Sequence, residues 1–286
     1  MSAWFFVILS ASCSVLIAHF LKVAETKKLN TVRVLTVNYL IATIVAFSTS
    51  DFGAVQALDF SAGTGPVLLA LFTGVIFIAN FFIYSKSVFH NGVGISIASM
   101  RISLILPVLL STLWYLELLT FSQWMGVSFV FVTLWLLLPN KRKMLREPFS
   151  AAWLLVLLFL GTGIGDASLK IYEAEFSSAV GKEQFMGFVF LTAFLIGITV
   201  ITFRKNWRFT FRELLIGTAV GIPNLYSAIF LIEALERMPG GVVYSSVNVL
   251  TVLGGTILGV VLWGDKLTKL QWTGILLTLV SILLLI

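Results

Sequence analysis

Leu116–Gly126 reads LELLTFSQWMG, and 148 residues further on Gly264–Gly274 reads GDKLTKLQWTG. Five of the eleven aligned positions are identical, and an acid aligns with an acid at the second position. The same offset places Leu21-Lys22 on Leu169-Lys170, although these pairs lie far from the first match. Two separate matches at one offset predict that the chain is a duplication of one structural unit.

The composition indicates what kind of unit is duplicated. Of the 286 residues, 59% are hydrophobic and 11% are charged, whereas soluble domains are about one quarter charged. Apolar windows of about 20 residues, the length that crosses a bilayer as a helix, recur ten times: 3–22, 31–49, 66–86, 92–115, 121–138, 151–172, 184–203, 213–235, 240–263 and 269–286. We therefore expect an all-α membrane protein with ten transmembrane helices, the first of which is retained because no basic residue precedes it.

The duplication divides the chain into two repeats, 1–138 and 151–286, joined by a basic linker, 139–150. Each repeat holds five spans, an odd number, so the second repeat is expected to be inverted across the membrane relative to the first. The loops after odd-numbered spans carry fifteen Lys and Arg residues, and the other loops carry two. Because cytoplasmic loops are enriched in Lys and Arg, both termini are predicted to lie outside.

The net charge of +6 is distributed over these short loops. It is not gathered on one solvated face, which argues against a nucleic-acid partner and predicts contact with anionic headgroups of the lipid bilayer. Cys13 is the single cysteine, so no intramolecular disulfide forms. Glycines four residues apart, at Gly217 and Gly221 and at Gly255 and Gly259, are typical of close helix packing, either within the bundle or across a homodimer.

Four features together resemble the drug/metabolite transporter superfamily, in its EamA-like ten-helix branch: the ten spans, the duplication, an acid ending the fourth and ninth spans, and Gln-x-x-Gly opening the fifth and tenth. The resemblance covers essentially the whole chain. It implies a two-fold pseudosymmetric bundle whose central cavity is lined by spans 1 to 4 and 6 to 9. The sequence departs from the family at Leu116, where glycine usually precedes the acid, and in its predicted termini, which family members usually keep in the cytosol.

Polar residues inside the spans are the candidate substrate site. Three serines follow three- and four-residue spacing and share one face of span 4, and two of them align with polar residues of span 9. This stripe is either a cavity wall that offers hydroxyl and amide groups to a solute or a surface for close helix packing. The candidates on spans 3, 4, 8 and 9 are Asn80, Tyr84, Ser96, Ser99, Ser103, Asn224, Tyr244, Asn248 and Thr251.

Ionisable residues inside the spans are further candidates. Arg101 lies near the middle of span 4, where an arginine costs about 2.5–3.5 kcal/mol to insert. It either binds an anionic substrate or forms an ion pair between helices, since it lies about 200° around the helix from the serines. Asp166 precedes Lys170 by four residues, which favours an ion pair or leaves Asp166 as a proton carrier. His19, near the end of span 1, is either an interfacial residue or a second proton carrier.

The function expected from these features is secondary transport of a small organic metabolite by alternating access. The substrate is expected to be anionic or zwitterionic, like a carboxylate or an amino acid, and proton coupling is an option. The sequence has no P-loop, HExxH or Gly-x-Ser-x-Gly motif, so we expect no enzyme activity, no metal and no cofactor. The alternatives are an intramembrane enzyme acting on lipid and a non-transporting partner subunit. The absence of soluble tails predicts a bacterial inner membrane as the location, with a eukaryotic organelle as the alternative.

Overall fold

The computed structural model describes residues 2–50, 64–137, 151–264 and 266–286, and all regular structure in them is helical. The basic linker 139–150 and Asp265, the acid expected to end the ninth span, lie outside the described residues. The helices are α1 Ala3–Thr26, α2 Thr31–Thr49, α3 Gly65–Asn91, α4 Val93–Ile102, α5 Ile105–Leu109, α6 Phe121–Leu137, α7 Ala152–Ile171, α8 Lys182–Phe203, α9 Phe211–Leu235, α10 Gly240–Trp263 and α11 Lys269–Leu285.

Every apolar window of the sequence is helical in the structure. Eight helical segments of the described chain are long and apolar enough to cross a membrane, and one of these is formed jointly by α4 and α5. The helices α6 and α11 are apolar but shorter, at 17 residues each. The chain is therefore an all-helical protein with eight to ten long apolar helices, as expected of a multi-pass membrane protein.

The fourth window was expected to form one helix over 92–115, but it is interrupted. The helix α4 ends at Ile102, α5 begins at Ile105, and a π-helical turn continues to Trp114. Pro107 explains the break, because its ring cannot donate to the carbonyl of Ser103 four residues earlier and clashes with it. The Ser103 carbonyl instead accepts a hydrogen bond from the Leu106 amide at 2.9 Å. Pro223, by contrast, leaves α9 continuous.

The repeated stretch that opens α6 and α11 has a local structural explanation. The Thr268 hydroxyl accepts from the Gln271 amide at 3.3 Å, and the Gln271 side chain accepts from the Thr268 amide at 2.9 Å. Thr120 and Gln123 form the same reciprocal pair of bonds, at 3.3 and 3.0 Å. Each pair is a capping box that satisfies amides left free at a helix start. The identical Thr-x-x-Gln positions therefore specify where both helices begin.

The helices α6 and α11 pack against each other in antiparallel orientation. A Cβ atom on Gly126, near the start of α6, would lie 2.9 Å from the Leu285 side chain at the end of α11. A Cβ atom on Gly274, near the start of α11, would lie 3.0 Å from Leu136 at the end of α6. Each glycine thus permits the close approach of the opposite helix end.

The other main interfaces also join the two halves of the chain. The helix α1 packs against α9 and α10, and α7 packs against α3 and α4. The helix α2 packs against α8 and α9, and α8 packs against α2 and α3. Helices from both halves therefore share one bundle, and neither half has a separate core.

Gly217 and Gly221 contact α2 within the chain. A Cβ atom on Gly217 would lie 2.6 Å from the Cβ of Val37 and 2.8 Å from the Val34 carbonyl, whereas nothing lies within 4 Å of a Cβ on Gly255. We expect Gly217→Ala to cost roughly 1–3 kcal/mol through overpacking and to lower the melting temperature by several degrees. Gly255→Ala is the matched control. Its melting temperature should equal that of the wild type or exceed it, since alanine favours a helix. Equal melting temperatures for the two variants would contradict this packing.

Candidate functional site

One cavity of about 500 Å³ lies among seven of the described helices, within the range of about 300–1,000 Å³ common for small-molecule sites. Its wall is formed by α1, α2, α3 and α4 of the first half and by α7, α9 and α10 of the second half. The helices α6 and α11 contribute no lining residue, and neither does α8. Eight of the residues singled out from the sequence line it: Asn80, Tyr84, Arg101, Asp166, Asn224, Tyr244, Asn248 and Thr251.

The serine stripe of span 4 does not line the cavity, which corrects the interpretation of Ser96, Ser99 and Ser103 as a cavity wall. Ser96 shares a hydrogen bond of 2.8 Å with the Ser87 hydroxyl of α3. Ser99 donates to the Leu155 carbonyl of α7 at 2.6 Å, and Ser103 donates to the Met100 carbonyl at 2.5 Å. These small residues let α4 approach α3 and α7 closely, so their role is helix packing.

Arg101 extends into the cavity from the opposite face of α4. One guanidinium nitrogen, Nη1, donates to the Asn248 side-chain oxygen at 3.0 Å. The Asp166 carboxylate and the Tyr84 phenol interact with it electrostatically, but no carboxylate of the described residues lies within ion-pair distance. A guanidinium has five N–H donors in a planar fork. Most of that donor capacity is therefore available to a ligand in the cavity.

The residues that hold Arg101 and Asp166 both come from α10. The Asn248 side chain, which accepts from Arg101, donates to the Tyr244 carbonyl at 3.1 Å. The Tyr244 hydroxyl donates to the backbone carbonyl of Asp166 at 2.8 Å. Tyr244 is 1% exposed, so its ring fixes the position of α7 at Asp166. Asn248 and Tyr244 thus connect the Arg101 side chain and the Asp166 backbone to adjacent turns of α10.

The ion pair expected between Asp166 and Lys170 is absent. The Lys170 ammonium instead contacts Glu117 Oε1 and Glu173 Oε2, each at 2.5 Å, and its side chain is 2% exposed. The other oxygen of Glu117 accepts from the Gly240 amide at 2.6 Å and from the Ser111 hydroxyl. Two carboxylates outcompete one, because a buried ammonium needs several oxygen partners. This ion cluster lies one helical turn beyond Asp166 and joins α7 to the start of α10.

His19 lies outside the cavity wall. Its ring packs against Phe20 and Trp263, with ring centroids 5.5 and 5.8 Å away. Its Nδ1 atom is buried and has no hydrogen-bond partner among the described residues. His19 therefore occupies a position at the end of α1, separate from Arg101 and Asp166.

Several polar residues of the cavity were not predicted from the sequence: Ser10, Ser14, Asn38, Thr162 and Ser227. Ser14 shares a hydrogen bond of 2.8 Å with Ser227, and Asn80 donates to Thr162 at 2.9 Å. Asn224 donates to the Asn38 side chain at 3.1 Å. The sequence contained one indication of these residues. Ser14 and Thr162 both carry a hydroxyl and are 148 residues apart, which is the offset of the repeat.

Comparisons with known proteins show the fold and leave the function open. No family model matches the sequence. An uncharacterized protein of Haemophilus influenzae is 29% identical over 279 residues, which cover 94% of this chain and 93% of that protein. The chain is also similar to a protein of known crystal structure, with a TM-score of 0.72 and 14% sequence identity. The match covers 97% of this chain and 95% of the other chain. The fold of the whole chain therefore occurs in a solved structure.

Proposed function

We propose that the chain is a secondary transporter that moves a small organic metabolite across the membrane by alternating access. The observation that carries the proposal is the cavity at the junction of the two halves, with Arg101 directed into it and hydrogen-bonded to one side chain of the described residues. A buried arginine of this kind is costly in a membrane and is expected where it binds a ligand. Its planar donor fork suits a carboxylate or a phosphate, so the substrate is proposed to carry a negative group.

An inverted repeat supports alternating access, because such transporters move one repeat against the other around a central site. Two observations agree with inversion. The equivalent helices α6 and α11 are antiparallel. The hydrogen bond between Ser14 and Ser227 also has a counterpart between Thr162 and Asn80, at offsets of 148 and 147 residues. The five-helix repeats 1–138 and 151–286 are accordingly proposed as the two moving units.

The bundle is closely packed where α10 begins, next to the ion cluster. Residues 240–246, which begin α10 at the ion cluster, are all buried. Lys170 and Tyr172, at 2% and 1% exposed, are buried at the same end as 240–246. We propose that the cluster of Lys170, Glu117 and Glu173 closes this end and separates when the transporter changes state.

The EamA-like branch of the drug/metabolite transporter superfamily remains the proposed family, on the repeat and its paired motifs. The proposed location is a bacterial plasma membrane with both termini outside, on the distribution of Lys and Arg in the loops. The bacterial relative of nearly equal length agrees with that location.

Thermal stabilisation of the purified protein by a panel of anionic, zwitterionic, neutral and cationic metabolites tests the proposal, followed by flux of each stabilising compound into proteoliposomes. Thr251→Trp should abolish both signals, because Thr251 lines the cavity and is 4% exposed, so an indole there fills ligand space. Val261→Trp on the same helix is the control, since Val261 is 70% exposed on the outside of the bundle.

The outcomes separate the proposed functions. Flux that is lost in Thr251→Trp and retained in Val261→Trp supports transport through the cavity. Stabilisation without flux for every compound would reject transport and favour a ligand-binding partner subunit. Unchanged flux in Thr251→Trp would show that the solute passes elsewhere.

A further inference from the structure

The cavity contains one cation and one anion that are not paired with each other. Arg101 and Asp166 both line it and interact electrostatically, yet no ion pair joins them. Within the part of the chain that the structure describes, Asn248 is the one hydrogen-bond partner of Arg101. Among the described residues, no hydrogen bond reaches the Asp166 carboxylate, whose contact with Tyr244 is made by its backbone carbonyl. Charges this poorly satisfied in a low-dielectric site are expensive to maintain.

From this arrangement we infer that the transported solute is a zwitterion of the amino-acid type, whose carboxylate binds Arg101 and whose ammonium group binds Asp166. The inference rests on the proposed function and names its substrate class. A zwitterion gives each protein charge an opposite partner, and the filled cavity then holds balanced pairs. A monoanion would leave Asp166 uncompensated and repelled by the ligand, and a monocation would do the same at Arg101.

One helix positions both charged residues. Arg101 is held by Asn248, and the backbone of Asp166 is held by Tyr244. Asn248 and Tyr244 are four residues apart on α10, which corresponds to about 6 Å along the helix axis. Both charged residues are therefore anchored to adjacent turns of one helix and line the same cavity, so a single ligand can contact both.

The remaining wall of the cavity indicates what else the solute carries. Apolar side chains from α2, α3 and α4 face the same space as the charged pair, namely Leu35, Phe77, Phe81, Ile97 and Met100. Apolar surface of this kind favours an apolar side group, since burying a charged one there is costly. The side group of the inferred solute meets these apolar side chains and also hydroxyl and amide groups of the wall, such as those of Ser10 and Asn38, so the inferred solute is a zwitterion with an uncharged side group.

Matched ligands test the inference on the wild-type protein. L-leucine is compared with isocaproate, which lacks the ammonium group, and with isoamylamine, which lacks the carboxylate. L-phenylalanine is compared in the same way with hydrocinnamate and phenethylamine. Hydrogen bonds to charged groups contribute roughly 10- to 100-fold in affinity. In a thermal-shift titration we therefore expect at least one amino acid to bind at least about tenfold more tightly than either analogue.

Asp166→Asn assigns the ammonium site, because it removes the charge and keeps the size of the side chain. It should weaken amino-acid binding by roughly 10- to 100-fold and leave the affinity for the matching acid unchanged or higher. Arg101→Gln should also weaken amino-acid binding, but it should leave the affinity for the matching amine unchanged. The ligand comparison on the wild type needs no variant, so a misfolded Asp166→Asn protein leaves the test intact.

Other outcomes overturn the inference in distinguishable ways. If an acid binds as tightly as its amino acid, the zwitterion is rejected while transport of an anion stands. If Asp166→Asn keeps the preference for the amino acid, the assignment of the ammonium site to Asp166 fails. If it changes only the pH dependence of flux, the assignment also fails and Asp166 is a proton carrier. If no compound of any charge class binds or is transported, the proposed function fails as well.

Discussion

Arg101→Gln is expected to remove stabilisation by carboxylate-bearing ligands and their flux while leaving the ligand-free protein at least as stable as the wild type. The guanidinium is buried in the membrane region, with Asn248 as its hydrogen-bond partner. Insertion of an arginine there costs about 2.5–3.5 kcal/mol, and glutamine removes much of that cost while still reaching Asn248. A residue that binds substrate commonly reduces stability in this way, whereas a structural ion pair does not.

Thermal unfolding with and without ligand measures both effects in one experiment. Asn248→Ala is the matched control, because it keeps the buried charge and removes its partner, so the ligand-free melting temperature should fall. Arg101→Lys should retain only part of the ligand response, since an ammonium group lacks the planar fork that binds a carboxylate at two points. A large loss of ligand-free stability in Arg101→Gln would instead assign Arg101 to a structural role between helices.

The sequence located the polar faces of span 4 but did not orient them. Helical geometry separates Arg101 from the serines by about 200°, and the structure has them on opposite faces, with Arg101 towards the cavity. Small hydroxyl residues suit a cavity wall and a helix contact equally well, so the serine spacing alone favoured neither. The neighbours of α4 decide between them, because Ser99 bonds to α7 and Ser96 to α3.

Features with local causes were predictable, and features with long-range causes were not. The starts of α6 and α11 follow from capping boxes that lie within four residues of sequence. The partner of Lys170 could not be predicted in this way, because Glu117 is 53 residues away, in the segment between the π-helical turn and α6, and meets Lys170 only in the folded bundle. A local rule for charges four residues apart favoured Asp166, and tertiary packing overrode it. The break before Pro107 was partly predictable, since proline disfavours a continuous helix.

Lys170→Met is expected to have the largest effect on stability. The ammonium contacts Glu117 and Glu173, and the lysine side chain is 2% exposed, so its removal leaves two partly buried carboxylates, 23% and 14% exposed, without their cation. Breaking a buried pair in this way costs about 3–5 kcal/mol. Lys182→Met is the matched control, because Lys182 also contacts two glutamates but is 21% exposed. Such a partly exposed pair contributes about 1 kcal/mol or less.

Charge neutralisation separates the cluster from simple packing of the lysine stem. Adding Glu117→Gln and Glu173→Gln to Lys170→Met removes the uncompensated charges, and we expect part of the lost stability to return. Thermal or denaturant unfolding of the single and triple variants measures the difference. If the triple variant is no more stable than Lys170→Met, the destabilisation arises from lost packing and not from unpaired carboxylates.

The Lys170→Met variant also tests whether the ion cluster closes the cavity. Cys13 is the single cysteine, so Cys13→Ser with Ser245→Cys provides one reporter thiol at the start of α10. Ser245 is fully buried and its hydroxyl has no partner among the described residues, which makes cysteine a mild replacement there. A membrane-impermeant thiol reagent should label it slowly in nanodiscs and roughly tenfold faster in Lys170→Met, because loss of the cluster shifts the population towards the open state.

The control variant decides what faster labelling means. A Lys182→Met protein that stays protected shows that opening follows from the buried cluster, since both variants remove a lysine from two glutamates at helix ends. Equal labelling in the two variants would indicate general loosening of the bundle. Destabilisation of Lys170→Met without faster labelling would leave the cluster as a structural contact, and the closed end would have to be held by the buried residues 240–246 of α10 themselves.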